Sequence, residues 1–367
     1  MSRSTGALSG RRHRAVEQAF PAVALIVLVI VVALLGSLGA SSIDRAVVTM
    51  LLNLIIVVGL YTFTGLSGVF SFGHVGFVAI GAYAAALLAI PTERKEVIFL
   101  ALPNSLAEVH LPSLPATLIG GAVAGIAAAI IAVPLSRLSG LAAALGTFAV
   151  LVVVHVVTEN WDQVTNGSKG MSAIPTTTGI YTALGFALIA ICVAYAFQQS
   201  STGLRLRASR EDVIAAQGVG VRVAWQRGIA LALSGFIVGV GGGLFAQFQG
   251  TITPEAFYLS LTFFTIAMLV VGGITSLSGA VIGTIVISAI SEFLRRIEQG
   301  ISIGPIDVPE RPGVREVGLA LVMLSILIWR PQGITEGREI ELRWFKEQSE
   351  TFSRPGILER LRKRTTP

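Results

Sequence analysis

Charge is scarce in this sequence. Only 13% of its 367 residues are Asp, Glu, Lys or Arg, 53% are hydrophobic, and the mean hydropathy is +0.77. Soluble domains carry about 25% charged residues, so the composition excludes one and marks an integral membrane protein. Cysteine is scarcer still. The single Cys192 sits inside an apolar run, which excludes an intramolecular disulfide and any multi-cysteine metal site. The four histidines (13, 74, 110, 155) show no ligand spacing such as i, i+4, so no metal chemistry is implied. There is no G-x-x-x-x-G-K-[ST] loop, so the chain cannot hold ATP by that route. No nucleophile–base set is visible either, which argues against an enzyme.

Long apolar runs are what the sequence has. They cover Phe20–Leu38, Ala46–Thr64, His74–Ile90, Ala116–Val133, Leu141–Thr158, Ile180–Phe197, Gly228–Ala246, Leu261–Val271, Ala280–Leu294 and Val317–Trp329. These ten predict an all-α polytopic membrane protein. The eighth and tenth are short for spans of about 20 residues and must borrow from their flanks. Residues 1–19 are polar and basic, and the run after them exceeds a signal-peptide core, so it reads as a retained anchor. With the N-terminus in the cytoplasm, nineteen Lys and Arg fall inside and eight outside. That bias supports ten spans with both ends inside. The net charge of +6 then reports topology, not nucleic-acid binding.

Polar groups inside the runs are few. Glu292, near the outer end of its run, is the only carboxylate, and Asn53 is the only clearly central strong polar group. Ser234, Thr262, Thr265 and Ser288 are weaker, and His74 and His155 lie near run ends, where packing or hydrogen bonding accounts for them. Ion-coupled transporters place ionisable groups at the midplane because coupling needs a site that changes charge. A pump without one takes energy from a partner or does not pump.

Two turns on the inner side, Gly65–Gly73 and Gly272–Gly279, carry no charge. Gly/Ser-rich turns of this kind fit irregular backbone buried in protein and lining a cavity; close packing through small residues is the other reading. Gly235, Gly239 and Gly243, four apart, read as a packing face. The one long polar stretch, residues 200–227, carries arginines 205, 207, 210, 222 and 227. Its centre, Glu211–Val219, suits a short helix: the acidic Glu211 and Asp212 come first, small Ala215 and Ala216 follow, and Gly218 and Gly220 stop it. It reads either as a connector held inside by its arginines or as a docking helix. Thr165–Ser168 is a turn by composition, in a loop that the charge count places outside.

Four ordered stretches carry a family likeness: G-L-S-G-V-F-S-F-G-H-V-G-F-V-A-I-G-A-Y (65–83), N-W-D-Q-V-T-N-G-S-K-G-M-S-A-I-P (160–175), S-R-E-D-V-I-A-A-Q-G-V-G-V (209–221) and V-G-G-I-T-S-L-S-G-A-V-I-G (271–283), with W-R-P-Q-G (329–333) closing the core. In these the chain resembles the permease subunits of bacterial branched-chain amino acid ABC transporters, the LivM-like half, over roughly residues 46–333. The resemblance implies a heterodimer with a second permease, two cytoplasmic ATP-binding subunits and an extracytoplasmic substrate-binding protein. The chain itself would hold no cofactor, ATP being bound by the partner subunits, and would sit in the inner membrane. Residues 200–227 are then similar to the coupling loop of ABC permeases, whose usual pattern is Glu-Ala-Ala, three residues, Gly. Here Ile214-Ala215-Ala216 with Gly220 fills it, and the carboxylates come earlier, at Glu211 and Asp212.

The expected coupling residues are accordingly Arg210, Glu211, Asp212, Ala215, Ala216 and Gly220. Those expected on the solute path are Asn53, Gly65, Ser67, Gly68, Ser71, Gly73, Gly273, Ser276 and Gly279. Asn166, Gly167 and Lys169 would meet the binding protein or the entering solute. By organisation, 1–19 is a cytoplasmic segment, 20–333 the permease domain, and 334–367 a basic cytoplasmic tail that lies on the inner leaflet or is disordered. Related systems carry leucine-like amino acids, urea or short amides, and neutral spans do not choose among them; an autonomous channel is the alternative from another class.

Overall fold

In the computed structural model, residues 4–37, 41–99, 102–299, 302–303, 306–307 and 313–339 are described. The helices, in order, are α1 (Ser4–Ser37), α2 (Ser41–Ser67), α3 (His74–Ala89), α4 (Thr92–Ile98), α5 (Asn104–Ala107), α6 (Ser113–Leu135), α7 (Gly140–Asn160) and α8 (Asp162–Thr165). After them come α9 (Ile180–Gln199), α10 (Ser201–Glu211), α11 (Val213–Gly218), α12 (Val223–Gln249), α13 (Leu259–Gly272), α14 (Leu277–Glu298) and α15 (Val314–Trp329). Among the described residues the only strands are the two-residue pair Ser302–Ile303 and Ile306–Asp307.

Each of the ten apolar runs falls on one helix. Eight are long and apolar enough to cross a membrane; α3 with α4, bent by 117°, makes a ninth if the pair is one broken span. The short eighth run gains length from its flank, its span running Pro254–Gly272. The tenth, α15, has only 16 residues. The polar start of the chain is not separate from the first span: α1 runs unbroken from Ser4. The amphipathic tail from Ile340 onward lies outside the described residues.

Backbone satisfaction forces helices in lipid; small residues decide how closely they approach. α2 is buried along nearly its whole length, with α9, α12 and α14 packed around it. α12 is the other buried axis. Cβ atoms built at Gly235 and Gly239 would press on those of Ala128 and Ala124 of α6, and one at Gly81 of α3 would collide with the Gly239 backbone. The glycine repeat is therefore a packing face. Further out, α1, α6, α7, α9 and α15 leave Val, Leu and Ile exposed along one side, as lipid contact requires.

Candidate functional site

The polar stretch between α9 and α12 folds as two helices, not one. Ser200 Oγ accepts from Gly203 N at 3.1 Å and starts α10. Asp212, in extended conformation, stops it and starts α11, its Oδ1 accepting from Ile214 N (2.8 Å) and Ala215 N (2.9 Å). Glu211 therefore ends the first helix, not begins the second, and it pairs with Arg210 at 2.8 Å. Gly220, at φ +85°, follows the second helix in the conformation that glycine supplies. Ala216 departs from the expected picture: it is buried against its own chain, while Ile214 and Val219 are 82% exposed and Ala215 is exposed beside them. A helix of this length hides one face, and Ala216 falls on it. The apolar surface offered outward is Ile214 and Val219, with half-exposed Trp225 nearby. Arg227 is likewise buried in α12, where Nη1 donates to Leu138 O at 3.1 Å.

Arg210 turns inward. Its Nη1 donates to Gly65 O at 2.9 Å, and its aliphatic stem covers Gly68, whose φ is +71°. The two uncharged turns meet at the same place, since a Cβ on Gly65 would lie against Ile274 O. Their hydroxyls are used locally. Ser67 Oγ accepts from Val69 N at 3.2 Å, and Ser276 Oγ accepts from Gly279 N at 2.9 Å and lies 2.9 Å from Thr335 Oγ1. Phe72 N donates to Thr147 Oγ1 at 3.1 Å, and Gly73 packs on the Thr147 backbone. Ser71 Oγ lies 2.6 Å from His74 Nδ1, and His74 Nε2 lies 2.7 Å from Ser234 Oγ. Because the Ser234 hydroxyl donates to Gly59 O, it accepts from the ring. That fixes the proton on Nε2 and makes Nδ1 the acceptor from Ser71. The chain of bonds ties the first turn to α2 and α12.

The second turn has a partner that local sequence hides. Residues 334–339 fold back over it: Ile334 N donates to Val271 O, Thr335 N to Gly272 O, and Thr275 Oγ1 to Gly337 O. Glu339 then caps α14. Its carboxylate accepts from Leu277 N (2.8 Å), Ser278 N (3.0 Å) and Ser278 Oγ (2.6 Å), where the helix dipole favours negative charge. Gln198 Nε2 also donates to it at 3.1 Å, and Tyr61 OH donates to Gln198 Oε1 at 3.1 Å. Positive φ at Gly273 (+122°) and the close backbones at Gly279 leave no room for larger residues.

Of the expected path residues, only Asn53 lies elsewhere. It sits 14 residues before Ser67, about 21 Å away by helical rise, at the middle of α2, lining a cavity of about 510 Å³ that runs from there toward the start of the helix. Arg45 and Thr49 of α2, Ser288 and Ser291 of α14, and Arg315 of α15 share that wall. Thr262 and Thr265 turn their hydroxyls to carbonyls of their own helix.

The third expected cluster is a built loop. Asn166 (φ 61°) closes it with Nδ2 donating to Gly170 O at 2.8 Å, so its side chain is engaged. Gly167 is buried at φ +57°, and Lys169 stands exposed. Met171 pairs with Ile252, pinning the loop to the far end of α12.

Residues 42–327 match the family described as the branched-chain amino acid transport system / permease component. The chain belongs to that family. The permease is 27% identical to the high-affinity branched-chain amino acid transport system permease protein LivM of Escherichia coli, over 87% of this chain and 75% of the relative. It is 26% identical to the LivM protein of Salmonella typhimurium, over 84% and 73%. A probable branched-chain amino acid transport permease protein LivH of Methanocaldococcus jannaschii is 30% identical over 46% of this chain and 49% of the relative. The family is one of transport permeases, not enzymes, and the permease is a multi-pass membrane subunit of an ABC importer that works in a complex with other subunits.

Proposed function

We propose that the permease carries a small amino acid, a branched-chain one first, inward, driven by two cytoplasmic ATP-binding subunits that dock on α10–α11, beside a second permease subunit. An extracytoplasmic binding protein delivers the solute at the end bearing residues 160–175, both termini lie in the cytoplasm, and the chain binds no nucleic acid. ATP is held by the partners, and the permease carries no cofactor. One observation carries this reading: the outward apolar pair Ile214 and Val219 stands on α11 and its C-cap, directly after α10, whose Arg210 is bonded to Gly65 at the end of the buried helix α2. A push on α11 from an ATPase dimer therefore reaches the central helices directly. The Gly/Ser turns form the closed inner end of the path.

Reconstitution in proteoliposomes tests this. The permease with its second subunit, ATPases and binding protein should accumulate labelled leucine, isoleucine or valine only with ATP. Conduction by the permease alone would replace the importer reading with a channel, and uptake of urea or a short amide in place of leucine would reassign the solute.

A further inference from the structure

The cavity of about 510 Å³ around Asn53 has the size of a small-molecule site, which runs about 300–1,000 Å³. Asn53 is 4% exposed, yet its amide has no protein partner among the described residues, and it lines the void. A buried amide is normally hydrogen-bonded, so one left open to a cavity points to a ligand or its water. Ser288 Oγ, in the same wall, is also buried without a partner.

The charged groups of the wall are net positive, with Arg45, Arg295 and Arg315 against Glu292. Glu292 is already paired with Arg295 (2.7 Å) and Arg296 (3.0 Å). Arg45 has no carboxylate partner among the described residues. Arg315 donates from Nε to Ser291 Oγ at 2.9 Å and lies over the Phe264 ring at 5.9 Å, its remaining donors unassigned. Two guanidiniums thus remain uncompensated beside an open amide, while Met50 and Phe264 supply apolar surface. Asp44, next in sequence to Arg45, is not part of the wall.

We propose that this cavity binds the transported solute during passage, Arg45 and Arg315 taking its carboxylate, Asn53 bonding its polar backbone atoms and Phe264 with Met50 meeting an apolar side chain. The ligand class is a small α-amino acid with a free carboxylate. The assignment rests on the importer reading above and adds the residues and the group recognised.

The test uses the full importer in proteoliposomes, with Cys192→Ser and Thr49→Cys as a reporter in the wall. Rates of modification by an anionic and a cationic methanethiosulfonate are each divided by the rate with a free thiol in solution. The anionic reagent should then be favoured about tenfold, which corresponds to about 1.4 kcal/mol. Arg45→Gln and Arg315→Gln should each reduce that preference, and Arg315→Lys should retain it. L-leucine should slow the labelling; L-leucinol, which lacks the carboxylate, should not. Asn53→Leu should raise the leucine concentration for half-protection about tenfold or more, and its unchanged charge preference would show that the cavity still forms. Absence of leucine protection, or equal protection by leucinol, overturns the site. ATP-driven uptake is measured in the same vesicles: uptake without protection removes this inference alone, whereas no uptake removes the importer reading beneath it.

Discussion

At the scale of single residues, Glu339 shows how a charge-free turn acquires its charge. The N-terminal amides of α14 need acceptors, and Ser276 supplies one; Glu339 supplies the others from 61 residues away. Replacing it with alanine leaves buried donors unmet at about 1–3 kcal/mol. Glu339→Ala should therefore lower the thermal midpoint of the purified permease and the ATP-driven uptake rate, while Glu339→Gln, which keeps one acceptor, should fall between. Equal midpoints for the wild-type and alanine forms would deny the cap any role. The sequence makes Gly65–Gly73 and Gly272–Gly279 legible as special turns, because uncharged glycine and serine at a membrane boundary are anomalous. It hides what meets them, since Arg210 and Glu339 reach their partners only through the fold. Asn53 is different: a lone amide in a long apolar run is visible at once, and it lines a cavity.

At the scale of elements, α10 and α11 separate what composition blurs. Counting small residues points to Ala216 as the docking contact, but the periodicity of a six-residue helix puts Ala216 inside and Ile214 outside. Ile214→Glu and Val219→Glu should therefore abolish co-purification of the ATPases and uptake, leaving expression and pairing with the second permease intact. Retained co-purification in both would reduce this segment to a connector. Asp212→Ala removes the N-cap, at a cost of about 0.5–2 kcal/mol. It should slow uptake more than it lowers the thermal midpoint, because α11 can fray while the spans stay folded. The first helix of the pair, α10, is invisible to hydropathy reading: Arg205 faces water on one side, while Leu206 and Ser209 are buried on the other. The ten apolar runs, by contrast, translate into ten helices without remainder, since a lipid-exposed backbone has no alternative to helix.

For the whole molecule, the two polar regions lie at opposite ends of α2. Arg45 and Ser67 are 22 residues apart, about 33 Å by helical rise, close to the thickness of a bilayer's hydrocarbon core at about 30 Å. If α10–α11 faces the cytoplasm, the Asn53 cavity and the loop carrying Lys169 belong to the outer half. Lysine and arginine counts give this orientation, yet some of those charges are poor reporters. Lys95, counted outside, is buried with its Nζ bonded to Leu106 O and Val109 O, and Arg227, counted inside, is buried in α12. Direct labelling is the stronger test, and the structure selects its positions. Lys169 and Gln217 are exposed, whereas Ser209 is fully buried and would not react on either side. In a Cys192→Ser background, Lys169→Cys should react with an impermeant maleimide on intact cells, and Gln217→Cys only after permeabilisation. Neither change touches a span, so uptake should persist under both. The opposite labelling pattern would put α10 and α11 outside the cell, where no ATPase could reach them, and the proposed coupling mechanism would fall with the topology.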